Sequence, residues 1–416
     1  MTGQEPGGKT GPGSMLAGIR VLDVCRDLAG PLCSMMLAEH GAEVIEVEHP
    51  ETGDETRSWP PIVGDGFSGY FATMNRGKRG IAVNLKHQDG LELIYDIART
   101  SDVFMQSFTP GVADRLGLGY ERISALNPRI VYCSVSGFGQ TGPYRSKRGY
   151  DPILQAMSGF MSVIGDKDGG PAKSMVPIVD VSTAVHAFAS ILGSLFWRER
   201  NGGGTGQHID MSMLDVIVSM LSIVGTRYLM TGIVPTRQGT ENPQRVPSAA
   251  FECADGRYLQ AVPNQRQWPS FCALLGHPEW AKDPRFATPV ARVDHRDVLY
   301  PMVREAFRKR PRDEWRAAFD DAAVACAPIN DLAEVFADPQ VQARQLAGYY
   351  DQPGVGPVAG LALPFKYSQT PCAPITRPPE LGEHTVDVLR DYGRSEDAIR
   401  QLLDQGTVRA PSRKEA

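Results

Sequence analysis

Ile19-Arg20-Val21-Leu22-Asp23-Val24, then Gly30-Pro31 with Leu32, Met35, Met36 and Leu37, then Gly41-Ala42-Glu43-Val44-Ile45-Glu46-Val47-Glu48 decide the fold. The first run is rich in β-branched and apolar residues. The second places apolar residues at helical spacing, and Gly41 ends it ahead of another β-type run. Strand, glycine-containing turn, helix and strand within about 30 residues form a βαβ unit, which requires a parallel sheet. The alternation continues through a helix over Asp89 to Arg99 and strands at Asp102 to Met105, Arg129 to Val135 and Gln207 to Met213. The expected class is therefore α/β, Rossmann-like in order. No G-x-G-x-x-G follows the first strand, so a nicotinamide dinucleotide is not expected.

A chain of 416 residues is long enough for two domains. Its net charge of −5 gives no general attraction to nucleic acid or anionic membrane, so an anion site has to be built locally. Seven scattered cysteines without a CxxC pair argue against a disulfide framework and for a reducing, cytoplasmic setting. The eight histidines form no HxxxH or HExxH pair, and no metal is expected. No apolar run of membrane-spanning length is read from the composition. A hairpin-like turn at Ala254-Asp255-Gly256-Arg257 between apolar runs, followed by short helices, suggests a second, smaller domain.

Three stretches offer chemistry. Met175-Val176-Pro177-Ile178-Val179-Asp180 reads as a buried strand or its approach, and a helix follows from Val181, with apolar residues at Val185, Phe188, Ile191, Leu192, Leu195 and Phe196. Asp180 then sits at the mouth of a helix, where backbone N–H groups favour an anion, either as a simple N-cap or as a functional carboxylate. Ser136-Gly137-Phe138-Gly139-Gln140-Thr141-Gly142-Pro143 follows a strand and reads as a tight turn or a backbone approached closely by a ligand. Asn75-Arg76-Gly77-Lys78-Arg79 leads into a strand and reads either as a solvated loop or as a phosphate-binding edge.

Several stretches recur together in one order: Gly18 to Asp23, Ala29-Gly30-Pro31, Gly41 to Glu48, Gly53-Asp54, Asn75 to Arg79, Pro110-Gly111, Ser136 to Pro143, Gly204-x-Gly206-Gln207 and Leu381 to Thr385. In this the chain resembles the class III CoA-transferase family, which also contains α-methylacyl-CoA racemases. The resemblance implies a Rossmann-like large domain built from both chain ends, an inserted smaller α+β domain, and an interlocked, ring-shaped homodimer. Composition shifts along the chain, taken with this architecture, give the boundaries 1–15 for a disordered leader or tag, 16–225 for the first part of the large domain, 226–246 for a linker, 247–330 for the small domain, 331–350 for a second linker, 351–405 for the returning part and 406–416 for a tail. Asp180 falls at the family's catalytic aspartate, with oxyanion donors around Gly137 and Gly139. Coenzyme A, as acyl-CoA substrate and product, would be held by Arg26, Leu28, Ala29, His49, Val83, Asn84, Leu85, Lys86, Ser107, Phe108, Thr109, Arg115, Ser136, Gly137, Phe138, Gly139 and Tyr150. The second substrate would be a small carboxylic or dicarboxylic acid.

The racemase branch pairs its aspartate with a histidine where this chain has Tyr150, and a phenol is a poor proton shuttle at neutral pH. A transferase working through an acyl–aspartyl anhydride and an aspartyl-CoA thioester is therefore expected, with racemase activity at Asp180 as the alternative. Leu28 stands where formyl-CoA transferase carries glutamine, which argues against formate or oxalate. Arg227, Arg237, Arg245 and Arg266 are candidate partners for a substrate carboxylate.

Overall fold

The computed structural model describes residues 13–64, 66–201 and 203–411. The expected leader therefore falls outside the described residues up to position 12. The chain forms two compact units, one of 1–160, 174–226 and 344–416, the other of 161–173 and 227–343.

The first unit is built on one sheet. Its strands are β1 (Arg20–Asp23), β2 (Glu43–Glu48), β3 (Arg79–Val83), β4 (Val103–Gln106), β5 (Val131–Ser136), β6 (His208–Ser212) and β7 (Val408–Arg409), in the order β7-β3-β2-β1-β4-β5-β6. All pairs are parallel except β7 with β3, which is antiparallel. Residues 406–416, expected as a tail, thus contribute a strand, because Val408 is buried against the far edge. The sheet is doubly wound, and the period of two along each strand assigns the faces. Val21, Val44, Val103, Val131, Cys133 and Val135 point to the side covered by α1 (Ala29–Glu39). Leu22, Ile45, Phe104 and Tyr132 point to the opposite side. That face is covered by α3 (Gln88–Thr100), which follows α2 (Gly69–Asn75), and by the two helices Thr385–Asp391 and Glu396–Asp404.

After β5 come α4 (Asp151–Met157), α5 (Ile178–Arg200) and, beyond β6, α6 (Met213–Ser219) and α7 (Ser222–Thr231). The run from Met175 is not a strand. Met175 and Val176 are 94% and 59% exposed, Pro177 is the N-cap, and the helix already includes Asp180 in its first turn. The β-branched Ile178 and Val179 accept helical geometry because Val179 is buried in the core, which outweighs their strand preference. Contrary to the expectation from composition, α5 has the length and hydropathy of a membrane span, but half of that window is buried within the protein. The apolar stretch from Met213 to Met230 forms two helices, meeting at 75° where Ser222 adopts φ 42°.

The second unit contains a three-stranded antiparallel sheet of Ala249–Glu252, Tyr258–Ala261 and Cys326–Pro328. The hairpin read at Asp255-Gly256 joins the first two strands. Trp268, Phe271, Phe307, Trp315 and Phe319 fill its core. Arg237 donates to the carbonyls of Asp166 and Gly169 and so fastens two loops of this unit together.

At the β1–β2–β3 junction Lys78 is fully buried. Its Nζ lies 3.2 Å from Asp23 and 3.8 Å from Glu46 and donates to Asn75 Oδ1 at 2.6 Å. Burial lowers its basicity, and the neighbouring Glu46 and Asp23 carboxyls outweigh that and raise it. Removing one member of a buried ion pair strands the other charge. Lys78→Ala is expected to lower unfolding stability by about 3–5 kcal/mol, read as the urea midpoint. A change within error would contradict the assignment of Lys78 as a structural cation.

Candidate active site

In a sheet ordered 3-2-1-4-5-6, ligands gather beyond the carboxyl ends of the strands where the winding reverses, here between β1 and β4. The chain leaving β1 is tied to the chain leaving β4, since the Arg26 N–H donates to Ser107 Oγ at 2.8 Å and the Arg26 guanidinium lies 5.6 Å from the centre of the Phe108 ring. The Phe108 N–H donates to Gln106 Oε1, and Gln106 Nε2 donates to Ser134 Oγ at 2.8 Å on β5. Arg26, His49, Val83, Asn84, Leu85, Lys86 and Phe108 line a cavity of about 70 Å³ with Val24, Val47, Glu48 and Leu116. Ser107 and Thr109 flank Phe108, Arg115 is exposed beside Leu116, and Leu28 and Ala29 are buried at the start of α1.

The basic turn is not a phosphate edge. Arg76 is paired with Glu39, Lys78 with Asp23, and Arg79 with Glu43 and Asp391, so these cations are consumed inside the fold. Arg26, Lys86 and Arg115, by contrast, have no carboxylate within ion-pair distance among the described residues and are exposed.

The glycine loop is shaped by backbone crossing. A Cβ on Gly137 would lie 2.7 Å from the Gly149 Cα, and Gly139 has φ 83°. The Gly139 N–H already donates to Ser136 Oγ at 3.1 Å, and the Gln140 N–H donates to Asp210. Of the expected oxyanion donors, Gly139 is thus engaged within its own turn, which leaves the amides of Gly137 and Phe138 as candidates.

The crossing of Gly137 and Gly149 sets Tyr150 and Asp151 behind the loop. Tyr150 is 53% exposed, whereas Asp151 is buried. Asp151 Oδ2 accepts the Val179 N–H at 2.8 Å and lies 3.5 Å from the Asp180 nitrogen. Pro177, the N-cap, supplies no side-chain cap to α5, so Asp151 satisfies the open helix end from outside. Asp180, in that first turn, is only partly accessible. Burial, then the charges of Asp151 and Asp27, push its carboxyl up to about 7. Tyr70 on α2 feels the same group: burial first, then Asp180, Asp27, Asp151 and Asp54, raise its hydroxyl to about 12. Among the described residues no three His, Cys, Asp or Glu side chains are grouped as metal ligands.

The sequence reading missed Asp151, Asp27 and Tyr70 as neighbours of Asp180. Asp151 acts on an amide 28 residues away, which no local pattern announces.

The match to the model of CoA-transferase family III runs over residues 16–385, the span that contains these strands and Asp180. The chain belongs to this family. Among its relatives, a succinate–glutarate CoA-transferase of Agrobacterium fabrum is 41% identical over 90% of this chain and 95% of its own. A human succinyl-CoA:glutarate CoA-transferase is 36% identical over 94% of this chain and 90% of its own. The crystal structure of a CAIB/BAIF family protein from Brucella suis superposes with a TM-score of 0.82 at 37% identity, covering 91% of this chain and all of that one.

In a family III enzyme the position of Asp180 carries a stability cost. The carboxyl is protonated more readily folded than unfolded, so the folded state loses stability as pH rises from its ordinary 3.8 towards 7, and the loss is complete above 7. Asp180→Asn is expected to be more stable than wild type at pH 8 by about 1–2 kcal/mol, a figure reduced for solvent access. The gap should close by pH 4 in denaturant titrations; a gap independent of pH would contradict the assignment.

Proposed function

We propose that this family III CoA-transferase moves CoA from an acyl-CoA to a small dicarboxylic acid, with Asp180 as the covalent nucleophile. The observation that carries the reading is the placement of Asp180, a partly accessible carboxyl raised by burial, in the first turn of α5 beside the Asp151 clamp. The relatives, transferases named for succinate and glutarate, support the substrate class.

The steps balance without water, proton or metal. An Asp180 oxygen attacks the thioester carbonyl; the C–O bond forms, the C–S bond breaks, and CoA leaves as thiolate. The thiolate attacks the Asp180 carbonyl carbon of the mixed anhydride, and the donor acid leaves as carboxylate. The acceptor carboxylate attacks the aspartyl-CoA thioester, giving a second anhydride and thiolate. The thiolate then takes the acceptor acyl group, and Asp180 is regenerated. Splitting one exchange in this way replaces a hard step by easier ones. Donors at Gly137 and Phe138 are suited to the oxyanions.

CoA would lie over the cavity at β1, β2, β3 and β4, with Arg26, Lys86 and Arg115 as unpaired cations for its phosphates. A racemase would need a base in the place of Tyr150, and nothing in the site favours it. The reading extends to a homodimer, interlocked as in the family. The α7 helix supports this, having no buried residue and leaving Ile223, Leu229 and Met230 78%, 82% and 80% exposed. A cytoplasmic location accords with seven cysteines that are all free.

Purified enzyme with succinyl-CoA and a panel of dicarboxylic acids is expected to exchange CoA, and Asp180→Ala is expected to lose at least a thousandfold in kcat. Retained exchange in the variant would overturn the nucleophile, and deuterium uptake at the α-carbon without exchange would reinstate the racemase. Arg26→Ala with Lys86→Ala should raise KM for the acyl-CoA at least tenfold while kcat stays within a few-fold. Light scattering is expected to give twice the 45.3 kDa chain mass; a monomer would refute the dimer.

A further inference from the structure

Gln106 is the last residue of β4, and its side chain is buried within the sheet at 2% exposure. A buried amide has to satisfy both its oxygen and its nitrogen. Oε1 accepts the Phe108 N–H at 2.7 Å, a bond to the amide two residues on that fixes the turn by which the chain leaves the strand. With Oε1 so placed, Nε2 faces β5, where Ser134 is the direct partner of Gln106 in the ladder, and donates to Ser134 Oγ at 2.8 Å. Ser134, 1% exposed, keeps its own proton to give, and His208 Nε2 on β6 stands 2.9 Å from its oxygen. The matching form of His208 is the neutral ring that accepts at Nε2. That ring lies against Tyr120, with centroids 4.9 Å and planes 17° apart. A chain of side-chain bonds therefore crosses three strands and ends on one backbone amide of the loop after β4.

Arg26 rests on that loop. Its N–H donates to Ser107 Oγ at 2.8 Å, the Ser107 hydroxyl reaches back to the Arg26 carbonyl at 3.4 Å, and the guanidinium lies 5.6 Å from the centre of the Phe108 ring. Arg26 and Phe108 line the cavity beyond the strand ends, and Gln106 does not. We propose that Gln106, tied to Ser134, is a positioning residue for acyl-CoA, setting the Ser107-Phe108 turn and through it the Arg26 guanidinium that meets a CoA phosphate. This deepens the reading that the chain takes acyl-CoA, and rests on it. Without the amide oxygen the partly buried Phe108 N–H loses its acceptor, and the turn relaxes to find another, carrying the ring and the guanidinium with it. Asp180 takes no part in these bonds. The effect therefore falls on binding of the nucleotide end of the thioester and not on the chemical step.

The test compares wild type with Gln106→Met and Ser134→Ala. Methionine nearly fills the volume of glutamine and removes both bonds, whereas Ser134→Ala removes the hold on Nε2 and leaves the bond to Phe108. Gln106→Met is expected to weaken binding of CoA in calorimetry and to raise KM for succinyl-CoA, each by about tenfold, the scale of one lost buried hydrogen bond. Its kcat should stay within a few-fold, and KM for the acceptor acid should not move. Ser134→Ala should shift CoA affinity and KM in the same direction by less, and it keeps the test decisive if Gln106→Met fails to fold. With succinyl-pantetheine, which lacks the nucleotide phosphates, both variants should match wild type in kcat/KM. Equal losses with both donors, or a CoA affinity unchanged in folded Gln106→Met or in Ser134→Ala, would overturn the proposal. Calorimetry needs no turnover, so the two readings separate. A wild type that binds CoA in this Gln106-dependent way but exchanges it with no acid would remove the proposed transfer and leave this inference. Exchange with unshifted variants would remove this inference alone, and a wild type that does not bind CoA would overturn both.

Discussion

The hydrogen bond from the Val179 N–H to Asp151 Oδ2 is the constraint on which the site depends. It closes the N-terminus of a 23-residue helix whose own cap, Pro177, offers no side-chain acceptor. Everything that places Asp180 follows from it. Asp151 is fixed in turn, because Gln155 donates to its other oxygen and also accepts the Ser174 N–H, so the chain entering α5 is clamped at two points. The α4 turn that carries Asp151 can approach because Gly137 and Gly149 have no side chains to separate their backbones. A single carboxylate thus links the glycine loop, α4 and α5 into one rigid frame.

The same frame is electrostatically expensive. Asp151, Asp27 and Asp180 are acids within one another's field, and Asp180 is forced up to about 7. A solvent-exposed carboxylate would escape that cost. The fold holds this arrangement on a base of fully buried ionic links, of which Lys78 with Asp23 is the deepest. Glu46 beside it has no hydrogen-bond partner for either oxygen among the described residues, and burial raises its carboxyl while Lys78, 3.8 Å away, opposes that rise. The strain of the site and the rigidity of the sheet beneath it belong together.

Much of the sheet could be read along the chain, because each parallel strand is an apolar run and each crossover helix carries its own period. Strands β1, β2, β4, β5 and β6 are local patterns. Strand β7 is not, since two residues at the chain end join a sheet whose other strands lie far away in sequence. The stretch at Met175 misled for a related reason: Val and Ile favour strands by shape, but the Asp151 clamp and the burial of Val179 make it helix. The basic turn misled because charge along the sequence says nothing of pairing, and Arg76, Lys78 and Arg79 find their carboxylates 32 to 312 residues away. It is the resemblance that singles out Asp180, since from the residues alone a helix cap is the commoner reading; the groups that share its field, Asp27, Tyr70 and Asp151, come together only in three dimensions.

The most direct test of the central claim is peptide-level mass spectrometry of the enzyme quenched in acid after brief incubation with succinyl-CoA and no acceptor. The account predicts a CoA-mass adduct, less one water, on Asp180 in the peptide that follows Pro177, converted by hydroxylamine to a hydroxamate at the same residue. Absence of any adduct on Asp180 while the enzyme turns over, or its appearance on another carboxylate, would contradict it.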